Sequence, residues 1–440
     1  MVTLSIAIFL AVLDSVIANI ALPLIAEKLA VTPSEAVWVV NAYQVAMTVS
    51  LLPLSSLGDI RGHRQVYLFG LVVFTLASLA CGLAQSLPAL VLARIVQGIG
   101  AAGITSVNMA LVRQIHPHAQ LGRAMGMMGL VVAVAATAGP SIASAILAVA
   151  PWQWLFLLNV PFGLLALVLA MRSLPARPGA GHRFDVLSAA LNAAAVGLIF
   201  IGADGLGHEI RSVPSLIELG VGLVVFVVFV RRQLALDAPM MPVDLLRLPP
   251  FAISVGTSIS AYTCQTLAFL ALPFYFQYVG GQSQIETGLL MTFWPAALIF
   301  AAPIAGRLSD RHSAGLLCGA GLAVLTVGML WLIQSSPGSH WTSVMWPMLM
   351  CGIGFGFFQS SNNREFMTSA PAERSGACAG MMSTSRLTGQ TVGGLIVTIV
   401  FALSGAGRDA VEHGALMAMK IGIGFAVVAM LVSFARLRRR

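Results

Sequence analysis

Charged residues are scarce in this 440-residue chain: only 9% are Asp, Glu, Lys or Arg, whereas 58% are hydrophobic. A soluble domain carries about a quarter charged residues, which cover its surface. A soluble fold of this length is therefore excluded, and lipid must cover much of the surface instead. The composition predicts an integral membrane protein.

Sequence patterns for several other chemistries are missing as well. The five cysteines lie singly in or near apolar segments, without a CxxC pair or a His/Cys cluster, so they are predicted to be small buried residues, and neither a metal nor a cofactor is expected. No GxxxxGK[ST] sequence occurs, which argues against an ATP-driven pump. Basic residues form no patch interleaved with aromatics, so no nucleic-acid partner is expected. The first apolar run carries Asp14 and is too long for a cleavable signal peptide.

Long apolar runs dominate what is present. A helix needs roughly 20 apolar residues to cross the hydrocarbon core, and barrel strands would be shorter and alternating. We predict an all-α protein with fourteen spans, at approximately 2–24, 38–57, 66–84, 88–112, 124–147, 152–171, 186–203, 214–230, 251–278, 286–305, 314–333, 341–361, 377–404 and 415–435. The hydrophilic stretches between them are too short to bury a core, so function must lie in or beside the membrane.

Lys and Arg are concentrated in every second loop. With the N-terminus inside, the even-numbered loops and the C-terminal tail hold most of the 24 basic residues, and the outer loops hold Lys28, Arg211, Arg408 and Lys420. The positive-inside rule then predicts that both termini are cytoplasmic. The net charge of +8 is a consequence of this topology.

A pattern of Asp beside Arg recurs after span 2 and after span 10, at Asp59, Arg61, Gly62 and Arg64, and at Asp310 and Arg311. The recurrence predicts two related halves, a duplication common in secondary transporters. We divide the chain into a six-helix half at 1–171, a two-span insert with its linkers at 172–250, and a second six-helix half at 251–440.

These two turns also predict a cytoplasmic gate. An Asp in such a turn can pair with an arginine or a helix N-terminus of the other half. A contact that forms in one conformation and breaks in the other would bias a two-state equilibrium.

Ionisable residues inside the spans are few, and each costs at least about 2.5–3.5 kcal/mol at mid-bilayer. Among the acids only Asp14 lies near the middle of a span, and among the bases only Arg94 and Arg386 lie within spans. Asp14 is predicted to carry a proton or bind a cation; the alternative is a structural carboxylate held by an arginine or a helix N-terminus. Arg94 would tune a gate or a proton site, or else form a permanent ion pair.

Polar side chains recur at helical spacing on three spans: Asn41, Gln44 and Thr48 on span 2, Arg94, Gln97, Thr105 and Asn108 on span 4, and Arg386 and Gln390 on span 13. Such stripes must turn away from lipid. With Asp14 they predict a shared water-accessible cavity, and hydrogen bonding between helices is the alternative.

Small residues line span 5 around Gly139 and Pro140. They would let another helix approach closely, and Pro140 permits a kink because it lacks a backbone donor. We predict a hinge here that serves as a rocking contact between the halves. Ordinary helix packing is the alternative.

Several of these segments, in this order, resemble motifs of the major facilitator superfamily, specifically its fourteen-span drug:proton antiporter group (the EmrB/QacA-like type). They are Leu13–Pro23 in span 1, Gly58–Arg64 after span 2, Ala93–Ala102 in span 4, Gly139-Pro140 in span 5, Trp152–Gly163, Phe184-Asp185, Leu272–Gln277 and Glu373–Gly376. The span 5 motif of the group usually continues with two glycines, where this chain has Ala143 and Ser144.

The resemblance implies a secondary transporter of the inner membrane that exports amphipathic or cationic compounds against protons by alternating access. Asp14 and Arg94 would couple protons, and the substrate cavity would add Asn19, Tyr262, Gln265, Phe269 and Met291 to the polar stripes. The expected partners are small molecules, protons and the lipid bilayer, with a periplasmic adaptor left open. A dedicated exporter of a metabolite, siderophore or antibiotic is the alternative. A membrane-embedded enzyme is not expected, because the histidines are dispersed.

Overall fold

A computed structural model describes residues 1–116, 121–175, 184–208, 212–236, 239–309, 311–335, 341–369, 374–405 and 407–436. Fourteen helices in these ranges are long and apolar enough to cross a membrane, which confirms the predicted all-α fold. We name them α1 Val2–Leu29, α2 Pro33–Arg61, α3 His63–Leu83, α4 Leu87–Ile115, α5 Leu121–Val149, α6 Trp154–Ser173, α7 Val186–His208, α8 Val213–Ala235, α9 Pro249–Phe274, α10 Gln284–Leu308, α11 Ala314–Gln334, α12 Trp341–Thr368, α13 Ser375–Ser404 and α14 Arg408–Ala435.

Several helices extend beyond the predicted apolar runs. α12 continues to Thr368, although its apolar run ends near residue 361, and α14 begins at Arg408 rather than near residue 415. An apolar run reports only the part of a helix that lies in hydrocarbon, whereas the helical hydrogen bonding continues into the polar interface.

One span is interrupted within its first two turns. The helical segments Trp154–Leu157 and Asn159–Ser173 of α6 meet at Leu158. Pro161 lies three residues later and has no N–H to donate to the Leu157 carbonyl, which accounts for the break. The interruption brings Asn159 to the first position of the second segment.

The described chain forms two compact units. Unit 1 comprises Met1–Val31 and Trp38–Met240, and unit 2 comprises Thr32–Val37 and Met241–Arg440. In unit 1, α3 packs on α4, α1 on α5, and α6 on both α1 and α3. In unit 2 the same pairs recur eight helices later: α11 packs on α12, α9 on α13, and α14 on both α9 and α11.

Glycines permit the closest of these approaches at matching places. A Cβ added to Gly98 on α4 would lie 2.5 Å from the Tyr43 carbonyl oxygen and 2.9 Å from the Ala46 Cβ. One added to Gly352 on α12 would lie 2.7 Å from the Ala297 Cβ and 3.0 Å from the Trp294 carbonyl carbon. Backbones this close need a residue without a side chain, and small residues serve this purpose between membrane helices.

The two helices of the predicted insert pack on each other. A polar clasp joins the start of α7 to the end of α8: Asp185 accepts hydrogen bonds from the Ser188 backbone and from Arg232, at 3.0 and 3.1 Å. Partial burial raises the pKa of Asp185, but the bonds from Ser188 and Arg232 outweigh it, so the pKa lies below its ordinary value. The hairpin rests on α2, where Asn192 donates to the Val49 carbonyl at 2.9 Å.

The glycine contact between α11 and α12 gives a stability prediction. In Gly321→Ala the new Cβ would meet the Gly354 carbonyl oxygen at 2.6 Å, and backbone cannot yield as a side chain would. We expect a destabilisation of about 1–3 kcal/mol, measured as a lower unfolding midpoint in detergent. Gly256→Ala on α9 is the matched control, because nothing lies within 4 Å of its Cβ. Equal stability of the two variants would contradict the close packing.

Candidate functional site: a buried ion pair and a half-buried polar group

The acid and the arginine that sequence analysis selected separately are partners. The Arg94 Nη1 donates to Asp14 Oδ2 at 2.5 Å, and neither side chain has any exposed surface. The structure thus brings together the two residues predicted to couple protons, from α4 and α1. Of the two roles predicted for Asp14, a carboxylate held by an arginine matches the contact seen in this conformation.

Two amides complete the surroundings of the carboxylate. Gln97 Nε2 donates to Asp14 Oδ1 at 2.9 Å, and Asn159 Nδ2 donates to the same oxygen at 2.6 Å. Gln97 also bonds Ser78 at 2.8 Å and accepts from Arg94 at 2.6 Å. We call Asp14, Ser78, Arg94, Gln97 and Asn159 the Asp14 cluster. All five are buried completely, so the cluster is closed to water here.

The guanidinium of Arg94 is held on its other sides as well. Its Nε donates to the Val39 carbonyl at 2.9 Å, and the ring of Tyr43 lies 4.2 Å from its central carbon. The Phe156 ring lies at 5.4 Å. An aromatic face attracts a cation more strongly where water is absent. Together with Asp14, these groups compensate for much of the cost of burying the charge.

Four members of these surroundings were missed by sequence reasoning: Tyr43, Ser78, Phe156 and Asn159. Asn159 was noticed only as part of a motif, and it lies 145 positions from Asp14 in the chain. The few polar residues in the otherwise apolar spans 3 and 6 were the only sequence feature that could have identified Ser78 and Asn159. Their partners depend on how the helices pack, which helical spacing does not reveal.

Unit 2 has no fully buried ion pair among its described residues. The register given by Gly98 and Gly352 aligns Met348 and Cys351 of α12 with Arg94 and Gln97 of α4, and both are fully buried. Cys351 bonds only weakly, to the Leu325 carbonyl at 3.9 Å. The two units therefore share packing but differ in the charge of their cores.

The predicted cavity residues of unit 1 vary in burial. Asn19, Asn41, Gln44 and Asn108 are buried, whereas Thr48 and Thr105 are half-buried. Thr48 and Thr105 each donate to the carbonyl four residues earlier in their own helix, both at 2.8 Å. Whether these residues line a cavity stays a prediction.

The predicted cavity residues of unit 2 include a half-buried polar group. Gln265, Arg386 and Gln390 are half-buried, and Tyr262 accepts a hydrogen bond from Gln359 at 2.7 Å. Phe269 is half-buried and packs edge-on against Trp294, with ring centroids 5.3 Å apart. Met291 is fully buried in the core of the unit.

The predicted gate residues lie at helix ends. Asp59 is exposed and contacts His63, whose Nε2 lies 3.0 Å from its Oδ1, while Arg61 is exposed. Gly62 takes a φ of 103° between α2 and α3, a conformation that favours glycine. Arg64 donates to the Met171 carbonyl at 2.7 Å. In the second turn Arg311 is exposed, while Asp310 lies outside the described residues, as does Glu373 of the last motif.

The predicted hinge on α5 contacts a helix of its own unit. A Cβ on Gly139 would lie 2.9 Å from a methyl of Val16 on α1, and Pro140 is buried beside it. The Pro140 carbonyl accepts from Ser144 at 2.9 Å, which gives this departure from the family pattern a local role. A hinge at Gly139-Pro140 stays a prediction.

The Asp14 cluster gives a test of the ion pair. Arg94→Met alone would leave the Asp14 carboxylate buried without its counter-charge, at a cost of about 3–5 kcal/mol, whereas adding Asp14→Asn should recover part of this. The measurement is the unfolding midpoint of the purified protein in detergent. Thr105→Ala on the same helix is the control and should change stability by about 0.5 kcal/mol or less. Additive single-variant effects would show that the two charges do not interact.

Comparison with known proteins places this architecture in a family. Residues 4–394 match the Major Facilitator Superfamily. The chain is 48% identical to the Escherichia coli (strain K12) protein named Uncharacterized transporter YebQ, over 99% of this chain and 94% of that protein. It is 28% identical to the riboflavin transporter RibZ of Clostridioides difficile (strain 630), over 92% of this chain and 88% of that protein.

A third relative comes from a drug-resistance group. The chain is 32% identical to the multidrug resistance protein Stp of Mycobacterium tuberculosis, over 91% of this chain and 75% of that protein. The resemblance noted from the sequence motifs is thereby confirmed. This chain is a multi-pass membrane protein and belongs to the transporters of the Major Facilitator Superfamily.

Proposed function

We propose that this chain exports amphipathic small molecules across the inner membrane in exchange for protons. The observation that carries the proposal is the Asp14–Arg94 pair, which is completely buried and held by two amides. Ionisable residues inside spans are rare and usually serve transport. In a chain of a transporter family, the only described acid of unit 1 near the middle of a span is the natural proton carrier.

A buried ion pair suits proton coupling because it has two stable states. While paired, each charge compensates for the other's lost hydration; protonation of Asp14 cancels one charge and frees Arg94. In the closed conformation three donors hold the Asp14 carboxylate, and a conformation that lets water reach the cluster would give a proton access to it. Proton binding thereby biases the conformational equilibrium.

The remaining site predictions are part of the same proposal. Asp59, Arg64 and Arg311 would form and release cytoplasmic contacts as the transporter alternates, and Gly139 and Pro140 would accommodate the movement. The location in the inner membrane agrees with the bacterial origin of the relatives.

A dedicated exporter of one metabolite is the second candidate. It is favoured by the likeness to a riboflavin transporter along most of the chain. The two candidates share the fold and differ in the side chains that contact the substrate.

Asp14→Asn tests the proton coupling. In inverted vesicles made acidic inside, the native chain should release lumenal protons when a transported dye or biocide is added, and Asp14→Asn should release none, because an amide cannot take up a proton. Lumenal pH is followed with a fluorescent probe. Asp185→Asn makes the same chemical change outside the spans, and this control should behave like the native chain.

Two results would count against the proposal. Equal proton release by the native chain and Asp14→Asn would remove Asp14 from the coupling. Uptake of a substrate into the vesicles without any proton release would show that export is not driven by protons.

A further inference from the structure

Unit 2 contains an arginine whose charge no acid neutralises. Arg386 lies eleven residues into α13, about 16 Å along the helix, and is half-buried. Its Nε is buried and has no hydrogen-bond partner, and among the described residues Arg386 forms no ion pair. A cation in such a position is costly unless a ligand or water compensates it.

A second donor lies beside this arginine. The Tyr262 hydroxyl oxygen accepts from Gln359 Nε2 at 2.7 Å, so its own O–H remains available to donate. Tyr262 is on α9 and Gln359 on α12, and a Cβ added to Gly389, one turn after Arg386 on α13, would lie 2.9 Å from the Tyr262 Cβ. We call Tyr262, Gln359 and Arg386 the Arg386 group. Its guanidinium and hydroxyl both donate, and the described residues supply them with no acceptor.

Acids are absent from the middle of this unit. The described acids of unit 2 are all at or outside helix ends: Glu35, Asp244, Glu286, Glu365, Asp409 and Glu412. Glu286 is engaged in capping α10, and Asp244 pairs with Arg374. Glu365 follows Gln359 by six residues, about 9 Å along α12. In unit 1, Asp14 is already neutralised by Arg94.

The pairing of the charged residues within the spans indicates which sign of charge a substrate would carry. The family resemblance implies amphipathic or cationic substrates, and Asp14 is predicted to carry a proton or bind a cation, yet this acid is occupied by three donors. Of the two arginines predicted within spans, Arg94 is paired with Asp14, whereas Arg386 is paired with no described acid. An anionic ligand would supply the acceptors that Arg386 and Tyr262 lack, through charge-assisted hydrogen bonds.

We propose that the Arg386 group binds the anionic head of the exported compound, a carboxylate, sulfonate or phenolate attached to an aromatic body. The proposal rests on the proposed export function and names its substrate class. Arg386 and the Tyr262 hydroxyl donate to the anion, and Gln359 orients the hydroxyl. The half-buried Phe269, on the same helix as Tyr262, contacts the aromatic body.

Two dyes that share a xanthene ring system and differ in charge test this proposal. Fluorescein is used as the anion and rhodamine 6G as the cation, and binding to the purified full chain in neutral detergent is followed by fluorescence anisotropy. The native chain should bind fluorescein more tightly than rhodamine 6G. Arg386→Gln should weaken fluorescein binding by about tenfold or more, since it removes a charge-assisted contact.

Further variants separate recognition from folding. Arg386→Lys keeps the charge and should retain more fluorescein affinity than Arg386→Gln, and Tyr262→Phe should lose affinity while keeping the aromatic ring. Arg307→Gln removes an exposed arginine of α10 and should leave fluorescein binding unchanged. Rhodamine 6G binding should not weaken in any of these variants.

The proposal is overturned if fluorescein binds the native chain and both Arg386→Gln and Tyr262→Phe equally, or if rhodamine 6G binds the native chain more tightly than fluorescein. Equal losses for both dyes in Arg386→Gln would also overturn it, because they would indicate a structural role. The binding measurement needs neither transport nor a proton gradient. A failure of proton coupling in Asp14→Asn vesicles is therefore distinguishable from a failure of anion recognition.

Discussion

A carboxylate without water must receive hydrogen bonds from the protein, and the organisation of unit 1 follows from how Asp14 meets this requirement. Its donors come from α4 and α6, and Gln97 passes the network on to Ser78 of α3. These hydrogen bonds therefore join α1, α3, α4 and α6, in addition to the packing of small residues between the helices. Removing either charge would leave the other uncompensated, so the two residues depend on each other.

The same packing scheme supports two different interiors. Glycines at matching positions let α4 approach α2 and α12 approach α10, yet Arg94 and Gln97 of the first unit align with Met348 and Cys351 of the second. Helix packing in lipid depends on small residues at the contact, which leaves the neighbouring buried positions free to differ in polarity. Among the described residues, the buried ion pair lies in unit 1, and unit 2 contains an arginine without a counter-charge.

The interiors of the two units differ in the chemistry of their side chains. Unit 1 holds a closed cluster around an ion pair, to which we assign proton coupling, and unit 2 holds the Arg386 group, to which we assign ligand binding. Coupling between them requires only that both bias one conformational equilibrium, and no direct contact is needed. The α7–α8 hairpin carries its own polar clasp at Asp185 and Arg232, outside both groups.

The sequence by itself determined the class, the fourteen spans and the family, because a bilayer imposes run length, charge depletion and helical backbone bonding on any chain that crosses it. It also singled out Asp14, Arg94 and Arg386, since charges inside spans are rare. Only the tertiary structure decided that Asp14 is bound by Arg94 and Asn159, and that Arg386 has no such partner among the described residues. Helical spacing places residues on a face of one helix, whereas which faces meet depends on packing between helices far apart in the chain.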